Sequence, residues 1–228
     1  MNNVVVLIVL ITVNSYCELR SSDKPDCDDE NSYMDETLRM IVTLAHNTLR
    51  SKLAKGQQEN GRHSNNKKFP TAKHMNLLKY DCALEKAAQE IATTCRSSSR
   101  SNFQYLGSNN YTYSLGGSVN STKLFDEITI LEFITRWWNE STMQSSLINL
   151  APSQKDKKMI SFLQMANAAT TRFGCAYNIC NPDGPSAYVS FTCQYSEPYI
   201  KIGTPIYSIG LPCSTCKSRC VLSSLCDN

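Results

Sequence analysis

Cysteine carries the most potential chemistry in this chain, with eleven residues against only three histidines. A free thiolate serves as a nucleophile or a metal ligand, and Cys213-x-x-Cys216 superficially resembles half of a zinc clasp. No histidine lies near that pair, and most of the other cysteines are scattered singly, so the pattern reads as a disulfide framework. With Cys17 removed, Cys27, Cys82, Cys95, Cys175, Cys180, Cys193, Cys213, Cys216, Cys220 and Cys226 remain. That even set can close as five bridges and leave no thiol for catalysis. Of the imidazoles, His46 falls on a helical pattern, while His63 and His74 fall in a polar loop and at its exit.

The N-terminus supplies the oxidising compartment that such a framework needs. Met1-Asn2-Asn3 precedes the mainly apolar run Val4 to Val13, and Ser15-Tyr16-Cys17 suits a signal peptidase, with cleavage expected after Cys17. Roughly ten apolar residues are too few to span a bilayer, for which about 20 are needed, so a secreted, extracellular chain that spans no membrane is expected. Asn110-Tyr111-Thr112, Asn120-Ser121-Thr122 and Asn139-Glu140-Ser141 are sequons open to glycosylation on that route. With 23 basic and 20 acidic residues the net charge is +3, and that balance points to no nucleic-acid partner. The expected organisation is a leader over 1–17, one domain over 18–205 and a cysteine-rich tail over 206–228.

The elements that must position these residues follow from periodicity. Ser32-x-x-Asp35 resembles a capping box, and Met34, Leu38, Ile41, Val42, Ala45, Leu49 and Leu53 recur at helical spacing until Gly56. Asp81 reads as the N-cap of a second helix running to Cys95. Residues 97–117 read as loop, Lys123 to Trp138 as a third helix, and Met159 to Ala169 as a shorter fourth segment. Thr171 to Ile179 and Ala187 to Tyr195 alternate as strands around the turn Asn181-Pro182-Asp183-Gly184-Pro185, which predicts a hairpin. The fold class is α+β, with a tail that holds too few apolar residues for a core and depends on its disulfides.

At this level of organisation the chain resembles a known family. His46-Asn47-Thr48-Leu49-Arg50 is similar to the HNxxR element of the CAP (SCP/TAPS) proteins, and the segment from Met75 through Asp81-Cys82 to Cys95 resembles the stretch that follows, with Tyr80 where Trp is usual. Trp137-Trp138-Asn139-Glu140 resembles WxxE, Arg172-Phe173-Gly174-Cys175 the start of the sheet, and Cys193-Gln194-Tyr195-Ser196 the C-x-Y-S signature. The tail, with Pro212-Cys213-Ser214-Thr215-Cys216, looks like the hinge-like end of nematode venom-allergen-like members.

The resemblance implies an α-β-α sandwich whose cavity, in typical members, presents two His and two Glu able to hold a divalent metal such as zinc. Here His46 and Glu140 match two of the four, while Gly117 and Ser161 fall where the other Glu and His would stand. One imidazole and one carboxylate are too few for a stable zinc site, so no metal or cofactor is expected. The simpler reading has His46 and Glu140 hydrogen-bonding across the cleft. Ser161 with His46 as base and Glu140 as orienter lacks a nucleophile elbow and an oxyanion motif, which argues against an enzyme.

Binding is better supported, since a cleft that has lost polar ligands suits a hydrocarbon body. The resemblance implies a lipid, sterol or fatty acid. Phe103, Tyr105, Tyr111 and Tyr113 are candidate aromatic contacts, and Val42, Leu49, Ile130 and Ile134 candidate walls of an acyl slot beside the first helix. Kinship also implies action on a host, and a host receptor or plasma protein is the competing partner. Spacing alone does not settle the cysteine pairing. The hairpin favours Cys180 with Cys193, while the resemblance implies Cys27 with Cys82, Cys95 with Cys175 and two bridges in the tail.

Overall fold

In the computed structural model, residues 27, 33–62, 67–95, 107–115, 127–144, 146–196 and 200–228 are described. Helix α1 spans Glu36–Ala54. Asp35 itself is its N-cap, with Oδ1 accepting from the Leu38 N–H at 2.8 Å, whereas Ser32, the expected start of the capping box, lies outside the described residues. The helix stops at Gly56, whose φ of +69° only a glycine adopts without strain, and the Gly56 and Gln57 N–H groups close back on Leu53 and Lys52.

Strand β1 (Lys79–Tyr80) follows, then α2 (Cys82–Thr93), capped by Asp81 through the Ala83 and Leu84 N–H groups. Strand β2 (Ser108–Ser114) precedes α3 (Glu127–Met143). The third helix therefore runs one turn beyond Trp138, and its expected beginning at Lys123 falls outside the described residues. Two 3-10 turns at Ile148–Leu150 and Gln154–Met159 lead into the short α4 (Ile160–Ala166). The hairpin is β3 (Arg172–Cys180) with β4 (Tyr188–Tyr195), and the tail carries β5 (Arg219–Val221) and β6 (Leu225–Asp227).

The sheet runs β1-β3-β4-β2, with β1 parallel to β3 and the other pairs antiparallel. Strand β2 corrects the loop expected over 97–117: Tyr111 pairs with Phe191 and Tyr113 with Val189 across the ladder. Alternation then assigns the two faces. Phe173, Phe191 and Tyr195 point toward α1 and α3, where Phe173 packs at a tilt against His46 and Phe191 stacks on Trp137. Gly174 points the other way, and a Cβ there would lie 2.2 Å from the Glu85 nitrogen of α2. The chain is an α-β-α sandwich because α2 can sit on the sheet only where residue 174 has no side chain.

The disulfides are Cys27–Cys82, Cys95–Cys180, Cys175–Cys193, Cys213–Cys220 and Cys216–Cys226. Two expected pairings are thus corrected. Cys175 stands directly opposite Cys193 in the ladder, with their Cα atoms 4.0 Å apart, whereas Cys180 stands opposite Tyr188 and is left to reach Cys95 at the end of α2. The tail does more than hold itself together. The Cys226 N–H donates to Met75 O and its carbonyl accepts from Leu77, while Ser224 Oγ lies 2.8 Å from Ser51 Oγ on α1. Leu225 and Cys226 are buried in that junction.

Candidate functional site

The inward face of α1 places three polar side chains in the core at His46, Asn47 and Arg50, each with 1% exposure or less. Asn47 pairs with Leu78 as a strand would, donating from Nδ2 to Leu78 O and accepting from Leu78 N, both at 2.9 Å. Arg50 donates to Asn76 O, Met165 O, Asn167 O and, at 3.4 Å, Thr170 O, so it gathers the segments before β1 and β3 around one guanidinium. Burial lowers its pKa to about 9, which still leaves it charged at neutral pH.

His46 is closed in on both sides. Its Nδ1 lies 2.7 Å from Val42 O, an acceptor, so that nitrogen carries the proton. The remaining Nε2 accepts from the Tyr195 hydroxyl at 3.0 Å. Asn109 Nδ2 then reaches both the Tyr195 hydroxyl, at 3.2 Å, and Ser161 O, at 3.0 Å. The Ser161 and Phe162 N–H groups in turn donate to Glu140 Oε2 at 2.9 and 3.2 Å. His46 and Glu140 therefore do not bond each other across the cleft, as the sequence suggested; Tyr195, Asn109 and the backbone of Ser161 connect them.

This relay does not fit a zinc ion. The one lone pair of His46 is engaged by Tyr195, and among the described residues no three His, Cys, Asp or Glu side chains converge. Ser161 makes no hydrogen bond with His46, so the nucleophile and base of a hydrolytic triad are not brought together. Gly117 lies outside the described residues. Tyr195 and Asn109 complete the relay. Tyr195 was visible as part of a signature, but Asn109 lay in a stretch read as loop.

Burial lowers the His46 pKa from the ordinary 6.5 to about 4, with the neighbouring Arg50 charge acting in the same direction. As pH falls, the unfolded chain takes up this proton before the folded one. The contribution to stability is fully present above about pH 6.5 and is lost as pH drops toward 4. That loss is expected to reach about 3 kcal/mol, read from urea unfolding at pH 7 and pH 4, and a His46→Gln variant should show a shallower acid limb.

The candidate lipid contacts separate. Val42, Ile130 and Ile134 have no exposure and are plain core, which corrects their reading as walls of an open slot, and Leu49 is half-buried beside them. Tyr111 and Tyr113 both pack on Phe133, at centroid distances of 4.6 and 5.8 Å, with Tyr113 exposed and Arg136 5.8 Å above the Tyr111 ring. Phe103 and Tyr105 lie outside the described residues, as does Asn120. Of the other sequons, Asn110 is half-buried on β2 with its amide atoms turned away from solvent. Asn139 is half-buried on α3.

The sequence profile of the CAP, or cysteine-rich secretory protein, family matches residues 43–195. Ancylostoma secreted protein of Ancylostoma caninum is 24% identical over 213 residues, which cover 92% of this chain and 46% of that protein. Venom allergen-1 of Aedes albopictus is 25% identical over 218 residues, 89% of this chain and 77% of that protein. The chain spans about half the length of some of the curated relatives it matches, 46% of Ancylostoma secreted protein and 49% of Venom allergen 5 of Tityus serrulatus. Among solved structures, NaASP2 with Zn2+ is similar at a TM-score of 0.71 and 27% identity, covering 87% of this chain and 98% of that one. BmVAL-1 is similar at a TM-score of 0.70 and 30% identity, covering 88% and 98%. With its sandwich, its HNxxR helix and its profile match over most of the described fold, the chain belongs to the CAP family of cysteine-rich secretory proteins.

Proposed function

We propose that this chain is an extracellular, non-catalytic lipid-binding protein, taking a sterol or fatty acid and acting on a host in the manner of venom-allergen-like proteins. The observation that carries the reading is the aromatic face of β2 and α3. Tyr111 and Tyr113 lie over Phe133 with Tyr113 exposed, and rings of this kind offer apolar area together with a hydroxyl. Arg136, above Tyr111, adds a cation suited to an acidic head group. The closed relay supports binding over catalysis, because its imidazole is committed on both nitrogens. Secretion is supported by the five disulfides, by the relatives' names as secreted and venom proteins, and by the apolar leader over 1–17. No described helix is long and apolar enough to cross a membrane.

Organic extraction of the purified protein, followed by mass spectrometry, is expected to release sterol or fatty acid, and the extracted protein should take up labelled lipid. Tyr113→Ser should weaken that uptake. A protein that yields no lipid and refuses labelled sterol and fatty acid alike would refute this reading, and would favour recognition of a host protein by the same rigid surface.

A further inference from the structure

We propose that a cavity at the junction of the tail and the sheet is a binding site for a carboxylate with an apolar body, a medium-chain fatty acid being the simplest case. Its volume is about 490 Å³, within the range of roughly 300–1,000 Å³ usual for small-molecule sites. It opens where the chain running from β4 toward the tail, with Lys201, Thr204 and Ile206, crosses the α4–β3 turn at Asn167 and Ala168 and the segment of His74 and Asn76.

The lining sets the ligand's charge. No Asp or Glu lines the cavity, while Lys201 does, exposed and without an ion pair among the described residues. Behind the wall the buried Arg50 cation donates to the carbonyls of Asn76 and Asn167, so positive charge stands on both sides of the lining. The Thr204 hydroxyl and the Asn167 amide nitrogen are not engaged by any described residue and are donors for a carboxylate. The apolar part comes from Ile200, Ile206 and Ala168, at 5%, 5% and 8% exposure, against which a hydrocarbon chain can lie.

The cavity sits toward the β1 edge of the sheet, and Tyr111 and Tyr113 lie on β2 at the other edge. The inference therefore goes beyond the aromatic reading, and the two fail separately. The test is calorimetric titration of decanoate, decanol and inorganic phosphate into the wild type and into K201E, T204W, Y113S and the exposed control K155E, with thermal melts to verify folding. Lys201 and Thr204 are exposed, so folding should survive their substitution. K201E should weaken decanoate about tenfold or more, as expected for a lost charged hydrogen bond, with decanol little changed. T204W, filling the cavity, should abolish both, and K155E should change neither.

Absence of decanoate binding, or binding indifferent to K201E and T204W, would overturn the proposal. Loss in Y113S with none in K201E would also overturn it while leaving the lipid reading in place. Phosphate bound as tightly as decanoate would show a bare anion site and overturn the requirement for an apolar body.

Discussion

Replacing Arg50 by methionine is expected to lower the unfolding free energy by about 3–5 kcal/mol, measured by urea denaturation of the disulfide-intact protein at pH 7. Methionine keeps much of the stem's volume but supplies no donor. Asn76 O, Met165 O and Asn167 O then lose the guanidinium that satisfies them inside the core. The segments tethered by those carbonyls lie in different parts of the chain, so the loss is felt at β1, at α4 and at the start of β3 together. Removing a desolvated cation offsets part of the cost. Arg50→Lys should recover little, since an ammonium cannot span acceptors arranged around a planar fork. A loss under about 1 kcal/mol for Arg50→Met would show that water or local rearrangement satisfies these carbonyls instead.

The second large effect belongs to Glu85. Its carboxylate receives a bidentate contact from Arg39, at 2.7 and 2.8 Å, and the Tyr80 hydroxyl donates to it at 2.6 Å. Arg39 and Glu85 are 7% and 2% exposed. Glu85→Ala is expected to cost about 3–5 kcal/mol, because it strands a buried guanidinium. Removing both charges, as in Arg39→Met with Glu85→Leu, should restore most of that stability, since the desolvation of each ion is relieved as well. The single-variant loss should change little with added salt, as a buried pair is weakly screened. A double variant no more stable than Glu85→Ala alone would contradict this account of the pair. Tyr80, where the family usually has Trp, bonds this carboxylate and accepts from the Cys175 N–H, so it ties α2 to the sheet.

Most of the sandwich was legible in the sequence because its elements carry strong periodic signals. Asp81 capped α2 as its position suggested, and Phe173, Cys175, Val189 and Phe191 alternated as the hairpin requires. Strand β2 was not legible: Ser108-Asn109-Asn110 reads as turn chemistry, and only Tyr111 and Tyr113 show period two. The pairing with β4 decides that segment, and it is a long-range effect that local preference does not contain. The same cause hid two disulfides, since the register that sets Cys175 opposite Cys193 appears only once the ladder is formed. In the site, His46 and Glu140 were identified, but their mode of connection depends on Asn109 and on the backbone of α4, neither of which has a motif. The closure of His46 by Tyr195 required the fold, because it joins α1 to the far end of β4.

Closure of the cleft is the centre of this account, because it separates a structural relay from a metal or catalytic centre. A metal would have to displace the Tyr195 hydroxyl from His46 Nε2, and among the described residues no group of three His, Cys, Asp or Glu side chains stands ready to hold it. The most direct measurement is zinc analysis of the purified protein after dialysis at neutral pH, with excess zinc added beforehand. Far less than one zinc per chain is expected, with no change in thermal stability on addition of the ion. Near-stoichiometric zinc that survives dialysis, and that is lost in His46→Gln, would contradict it.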